Sequence, residues 1–156
     1  MNNEKTFYID GPLTELPDEQ REEAKRFYVR IADLCKEITD KRAFVPHEHY
    51  DPIEHADFSP SEVDEAERYQ VCECTSFLIV VTSFGPSWGG GIEVEMANKS
   101  KVPMIIMGRC GKKISRLLLG NPAAWEVIRY ETEEEALALL RPILEKTLSL
   151  SRFLLH

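Results

Sequence analysis

Glu93 follows a run of three glycines in the stretch Pro86-Ser87-Trp88-Gly89-Gly90-Gly91-Ile92-Glu93. The apolar run 77–82 precedes it, so the segment reads as a buried strand, a glycine-rich turn and a helix with carboxylates in its first turn. Such a junction turns backbone N–H groups toward an anion at a helix N-terminus and holds a carboxylate beside it. The chemistry this suits acts on a phosphorylated or sugar-bearing ligand. Breaking an N-glycosidic bond builds oxocarbenium-like positive charge on the sugar, and a fixed carboxylate stabilises that charge or captures it covalently. Water as the second reactant makes a hydrolase, and a second base makes a transferase.

Each candidate has a plainer role beside the chemical one. Glu93 could be a solvated carboxylate favoured by the helix dipole. Glu95, two positions on, points to another side of the helix and reads as a surface charge. Gly89 and Gly91 either admit a phosphate or only permit a tight turn. Phe84 and Trp88 stack a base, or cover a core or a subunit interface. Tyr8 and Asp10 end the first strand, where they could contact a sugar, although Tyr8 is equally a core aromatic. His47 and His49 could protonate a leaving base, yet loop histidines are more often structural. His47, His49 and Asp51 share one face of an extended segment, and Cys72 and Cys74 lie close together, but no C-x-x-C or H-E-x-x-H spacing supports a metal. No metal or cofactor is expected.

The elements that must position these residues alternate along the chain. Residues 6–10 predict a first strand, stopped by Gly11-Pro12. Ala24, Phe27, Ile31, Leu34 and Ile38 recur at helical spacing between 18 and 40. Residues 43–45 predict a second strand ended by Pro46, followed by a long polar loop over 47–58, a length often tied to function. Ser59-Pro60-Ser61-Glu62 opens a helix to about residue 73. The run 77–82 lacks polar alternation, as expected of a strand covered on both faces. A helix over about 91–100, a strand over 102–107, a short helix over 114–119 and a strand over 125–130 complete the alternation. Thr132-Glu133-Glu134-Glu135 caps a last helix, which Pro142 should kink or divide. Leu148, Leu150, Phe153, Leu154 and Leu155 should dock on the domain or at a subunit interface.

This order predicts a single domain over 1–156, a three-layer α/β/α sandwich around a doubly wound parallel sheet of about five strands, Rossmann- or flavodoxin-like. The loops after residues 9, 45 and 82 then share the carboxyl edge of the sheet, where ligands bind. With 156 residues and 43% hydrophobic content, one real core is affordable. The formal charge of −8 argues against a grip on nucleic acid polymers. Four irregularly spaced cysteines fit reduced thiols. No apolar run is long enough for a bilayer, and the start lacks the apolar core of a signal peptide, so a cytoplasmic protein is expected.

Two segments carry a family resemblance. Phe7-Tyr8-Ile9-Asp10-Gly11-Pro12 resembles the strand-to-turn opening of the nucleoside 2-deoxyribosyltransferase-like superfamily, and 86–93 resembles its P-S-x-G-x-G-x-E motif. The likeness spans about 6–107. It implies that Glu93 is the catalytic glutamate, that Ser87 helps bind a 5′-phosphate as in the nucleotide N-glycosidase branch, and that Gly89 and Gly91 let the backbone come close. Tyr8 and Gly11 fall in the turn lining the sugar pocket. Relatives carry an Asp in the preceding helix and an acidic residue before the next strand, where Arg68 and Ser76 stand here. The implied protein is a homodimer or higher assembly that hydrolyses a nucleoside 5′-monophosphate or related nucleotide. Alternatives are a deoxyribosyltransferase, a noncatalytic nucleotide-binding or sensing module, and a glutamate-dependent NAD glycohydrolase.

Overall fold

The computed structural model describes residues 4–154, with side chains described over 4–150. Four parallel strands form one sheet in the order β1 (Thr6–Asp10), β2 (Thr75–Val81), β3 (Met104–Arg109), β4 (Ala124–Tyr130). The strand expected over 43–45 is reduced to one residue. Phe44 makes an isolated parallel bridge to Tyr8, with Ile9 N donating to Phe44 O at 3.0 Å and Phe44 N to Phe7 O at 2.7 Å. Pro46 has no N–H to extend the ladder, and the chain turns at once into the short helix α2 (His47–Tyr50). About five strands are therefore corrected to four plus a bridge. With that bridge as a rudimentary edge, the order is the doubly wound 2-1-3-4-5, whose switch point lies between β1 and β2.

Helices cover both faces. α1 (Asp18–Thr39) and α6 (Glu133–Leu154) pack on one, and α3 (Pro60–Cys74), α4 (Trp88–Lys99) and the short α5 (Arg116–Leu119) lie toward the other. Strand alternation sorts the core. Phe7, Ile9, Phe77, Ile79 and Val81 join the α1–α6 side, whereas Tyr8, Leu78 and Val80 join the α3–α4 side. Each fully buried aliphatic side chain here contributes about 1.5–3 kcal/mol, which is why β2 has no polar alternation.

Local signals explain the helix boundaries. α1 buries Ala24, Phe27, Tyr28, Ile31, Ala32, Leu34 and Cys35 and ends at Asp40, whose φ of 62° breaks the helix. Ser59 and Glu62 form a reciprocal capping box at the start of α3, with Pro60 in the first turn. Between α2 and α3, buried Asp51 accepts from Ile53 N and Glu54 N and pairs with Lys25 of α1, tying the loop down. α4 starts at Trp88, about three residues earlier than the sequence implies, because Ser87 caps it and accepts from Gly90 N at 3.0 Å. The glycines are thus helical, and Glu93 moves from the first turn into the second.

α6 is one helix through Pro142, so the chain is not divided there. Ala136 and Leu140 before the proline and Ile143 and Leu144 after it are buried in the α1–α6 core. That packing outweighs a proline cost of about 3 kcal/mol. In the apolar tail Leu148 is half-buried and Leu150 exposed, while the side chains of Phe153, Leu154 and Leu155 lie outside the described residues. No helix among the described residues is long and apolar enough to cross a membrane.

Candidate active site

The carboxyl end of β1 carries Tyr8 and Asp10 on the α3–α4 side, one strand period apart. Tyr8 is fully buried, its ring stacked on Phe44 at 5.4 Å, and its hydroxyl donates to Glu93 Oε1 at 2.5 Å. Glu93, 8% exposed, comes from the second turn of α4. Asp10, 2% exposed, and Glu67 of α3 both come within hydrogen-bonding reach of the Glu93 carboxyl. Three elements distant in sequence therefore bring three carboxyls and a phenol together.

Burial dominates their electrostatics. Desolvation, then repulsion from Asp10 and Glu67, pushes the Glu93 carboxyl well above the usual range, against the opposing pull of the Tyr8 hydroxyl. Desolvation raises Asp10 to about 7. Glu67 is also raised, first by burial and then by Asp64. Like charges in a dry site cannot all ionise, so such a cluster holds protons at neutral pH.

A cavity of about 680 Å³ opens beside this cluster, at the switch point of the sheet. Asp10, Gly11, Phe84, Ser87, Gly90 and Gly91 form its β1–β2–α4 side. Val94, Ile114, Leu117 and Leu118 supply an apolar wall, and Lys112 and Lys113 enter from the β3–α5 loop. Asp10 is the cluster's carboxyl on the cavity wall, and Glu93 adjoins it. Lys112 Nζ donates to Ser83 O at 2.8 Å, which holds its charge at the cavity edge.

The residues singled out from sequence separate into groups. Tyr8, Asp10 and Glu93 meet in the cluster, and Gly11, Phe84, Ser87 and Gly91 line the cavity. Gly11 is also a packing requirement, since a Cβ there would collide with the Tyr28 hydroxyl, which donates to Pro12 O at 2.9 Å. Gly89 and Trp88 lie off the cavity wall, and Trp88 is 88% exposed. His49 stacks on Phe44 at 4.4 Å, and His47 is half-buried near Tyr28; neither lines the cavity. His55 Nδ1 accepts from Asp51 N. Among the described residues no three His, Cys, Asp or Glu side chains form a group suited to a metal ion.

Sequence reading missed four residues. Glu67, not Arg68, turns toward Glu93; Arg68 is exposed and pairs with Asp64 at 2.9 Å. A one-residue offset on a helix is a 100° rotation, so only the helix phase set by Val71 could have revealed it. Of the three glycines of α4, Gly90 is the one with no room for a side chain, because a Cβ would lie 2.6 Å from Asp10 Oδ1 and 2.8 Å from Ser87 Oγ. Lys112 and Lys113 follow a strand's carboxyl end, a position that marks binding loops in doubly wound sheets. Ser76, at the other departure, donates to Thr6 O and serves the sheet.

No protein-family model matches the sequence, and no curated protein is significantly similar to it. The sheet order and the placement of the helices define a doubly wound, Rossmann-like α/β fold. Among solved structures, the chain is similar to the CMP N-glycosidase BcmB of Clostridium botulinum, with a TM-score of 0.64 at 19% identity over 87% of this chain and 97% of that one. It is also similar to a conserved protein from Enterococcus faecalis V583, with a TM-score of 0.54 at 11% identity over 86% of this chain and 96% of that one.

Proposed function

We propose that this protein hydrolyses the N-glycosidic bond of a nucleoside 5′-monophosphate or a related nucleotide, with Glu93 as the carboxylate at the anomeric carbon. The observation that carries the reading is a buried glutamate, hydrogen-bonded by Tyr8 and packed against Asp10, beside a large cavity at the carboxyl ends of β1 and β2. Its fold neighbour BcmB is a CMP N-glycosidase, which favours a nucleotide over other sugar conjugates. Ser87, the first N–H groups of α4, and Lys112 and Lys113 supply hydrogen-bond donors and positive charge for a 5′-phosphate. Phe84 offers a ring at the same wall for the base.

As charge develops on the sugar, Glu93 stabilises or captures it, and Tyr8 steadies the carboxylate as it forms. Glu67, which approaches from α3, disfavours the charged form of Glu93 until the substrate's positive charge develops. We place the protein in the cytoplasm, where its free thiols Cys35, Cys72, Cys74 and Cys110 stay reduced. We also propose self-association through α4, whose Trp88 and Ile92 stand exposed one turn apart.

The test is release of free base from a panel of nucleosides, nucleoside 5′-monophosphates and NAD. Monophosphates should turn over best, and Glu93→Gln should reduce release by about 1,000-fold or more while the fold is kept. Equal rates for wild type and Glu93→Gln would remove Glu93 from the mechanism. Transfer to an added base would mark a transferase, and tight binding without release a sensing module.

A further inference from the structure

We propose that Asp10 and Glu93 share one proton in the empty site, and that Asp10 delivers it to the departing base while Glu93 is freed to meet the anomeric carbon. This rests on the glycosidase reading and adds an acid that nothing else on the cavity wall supplies. The wall's titratable side chains are Asp10, Glu95, Lys112 and Lys113, and Asp10 alone among them is buried. The histidines considered as proton donors lie elsewhere. With both carboxyls ionised, Asp10 Oδ2 finds no hydrogen-bond donor among the described residues. One proton held between Asp10 and Glu93 gives the pair its donor, as in other close carboxyl pairs.

The surroundings favour a single shared proton. Tyr8 on the same strand, Glu67 from α3, Glu93 from α4 and Tyr28 from α1 all face or closely approach Asp10, and each is neutral or negative. The lysines of the β3–α5 loop share the cavity, with Lys112 held at Ser83 O. Burial raises Asp10 to about 7, which suits a group that must both give and take a proton near neutrality. Gly90 allows this position, because any larger residue would drive its Cβ into Asp10 Oδ1.

The steps balance. The proton passes from Glu93 to Asp10, leaving Glu93 a carboxylate. A Glu93 oxygen bonds to the anomeric carbon as the carbon–nitrogen bond breaks; that electron pair goes to the base nitrogen, which takes the proton from Asp10. Water then attacks the anomeric carbon and gives a proton to the Asp10 carboxylate, and Glu93 departs as a carboxylate.

The test compares Asp10→Asn and Asp10→Ala with wild type and Glu93→Gln on two substrates. One is the best nucleoside 5′-monophosphate of the panel, and the other is a 4-nitrophenyl riboside 5-phosphate, whose leaving group needs no proton. Both Asp10 variants should lose about 100- to 10,000-fold on the nucleotide and lose the basic limb of its pH profile. On the nitrophenyl substrate they should give a burst of about one nitrophenolate per site, with azide restoring turnover in Asp10→Ala. Glu93→Gln should give neither burst nor rescue. Equal losses on both substrates without azide rescue, or an unchanged pH profile, would overturn the role of Asp10 while leaving the glycosidase intact. No base or nitrophenolate from wild type would overturn both.

Discussion

At the residue scale, Tyr8 and Asp10 act on Glu93 in opposite directions. The Tyr8 hydroxyl favours the ionised carboxylate, whereas Asp10 and burial favour the protonated one. A hydrogen bond to a charged group contributes about 1.5–3 kcal/mol, or about one pKa unit or more. Tyr8→Phe should therefore move the acid limb of kcat/KM upward by about one pH unit and lower kcat at pH 7 about tenfold; a limb that stays in place would separate Tyr8 from Glu93. The same burial makes stability depend on pH. Because Asp10 rises from 3.8 to about 7 on folding, the native state binds more protons than the unfolded chain across that window. Its stabilisation is complete below about pH 4 and is lost as pH rises through 7. Wild type should thus lose more stability than Asp10→Asn between pH 5 and 8 in urea denaturation. Parallel curves for the two proteins would contradict the raised carboxyl.

At the element scale, three adjacent glycines in α4 do different work. Gly90 touches Asp10 and Ser87, whereas a Cβ on Gly89 or Gly91 would meet nothing within 4 Å. Replacing a helical glycine by alanine in open space gains about 0.5–1 kcal/mol. Gly89→Ala should raise the melting temperature with KM unchanged, and Gly91→Ala should raise both, since Gly91 lines the cavity. Gly90→Ala should displace Asp10 and cost about 100-fold in kcat/KM. Wild-type kinetics from Gly90→Ala would mean that the close approach has no functional weight.

At the scale of the whole molecule, α4 serves two surfaces. Its inner side holds Glu93, Met96 and Ala97, while Trp88 and Ile92 stand outward, with Tyr69 exposed on neighbouring α3. Two large apolar side chains a turn apart on a helix are costly to leave wet. Light scattering should find an assembly larger than one chain, and Trp88→Glu should reduce it to monomer. An intact assembly in that variant would move the contact elsewhere, with the exposed Leu139 and Leu150 of α6 the next surface to test.

The sequence by itself determined the layered α/β class, the parallel sheet and the segments that meet at its carboxyl edge, because hydrophobic period and capping residues act locally. The positions of Glu93 and Ser87 in and before α4 were legible because a glycine tract marks the strand-to-helix junction, and that of Tyr8 because Gly11-Pro12 ends its strand. Only the tertiary structure decided that Phe44 makes a bridge instead of a strand, and that Glu67 rather than Arg68 faces the cluster. It also decided that Gly90 is the constrained glycine of the tract and that Asp10, next to Glu93, stands on the cavity wall. Those outcomes depend on helix phase, on where Ser87 starts α4 and on which side chains lose their water, and each arises between elements far apart in the chain.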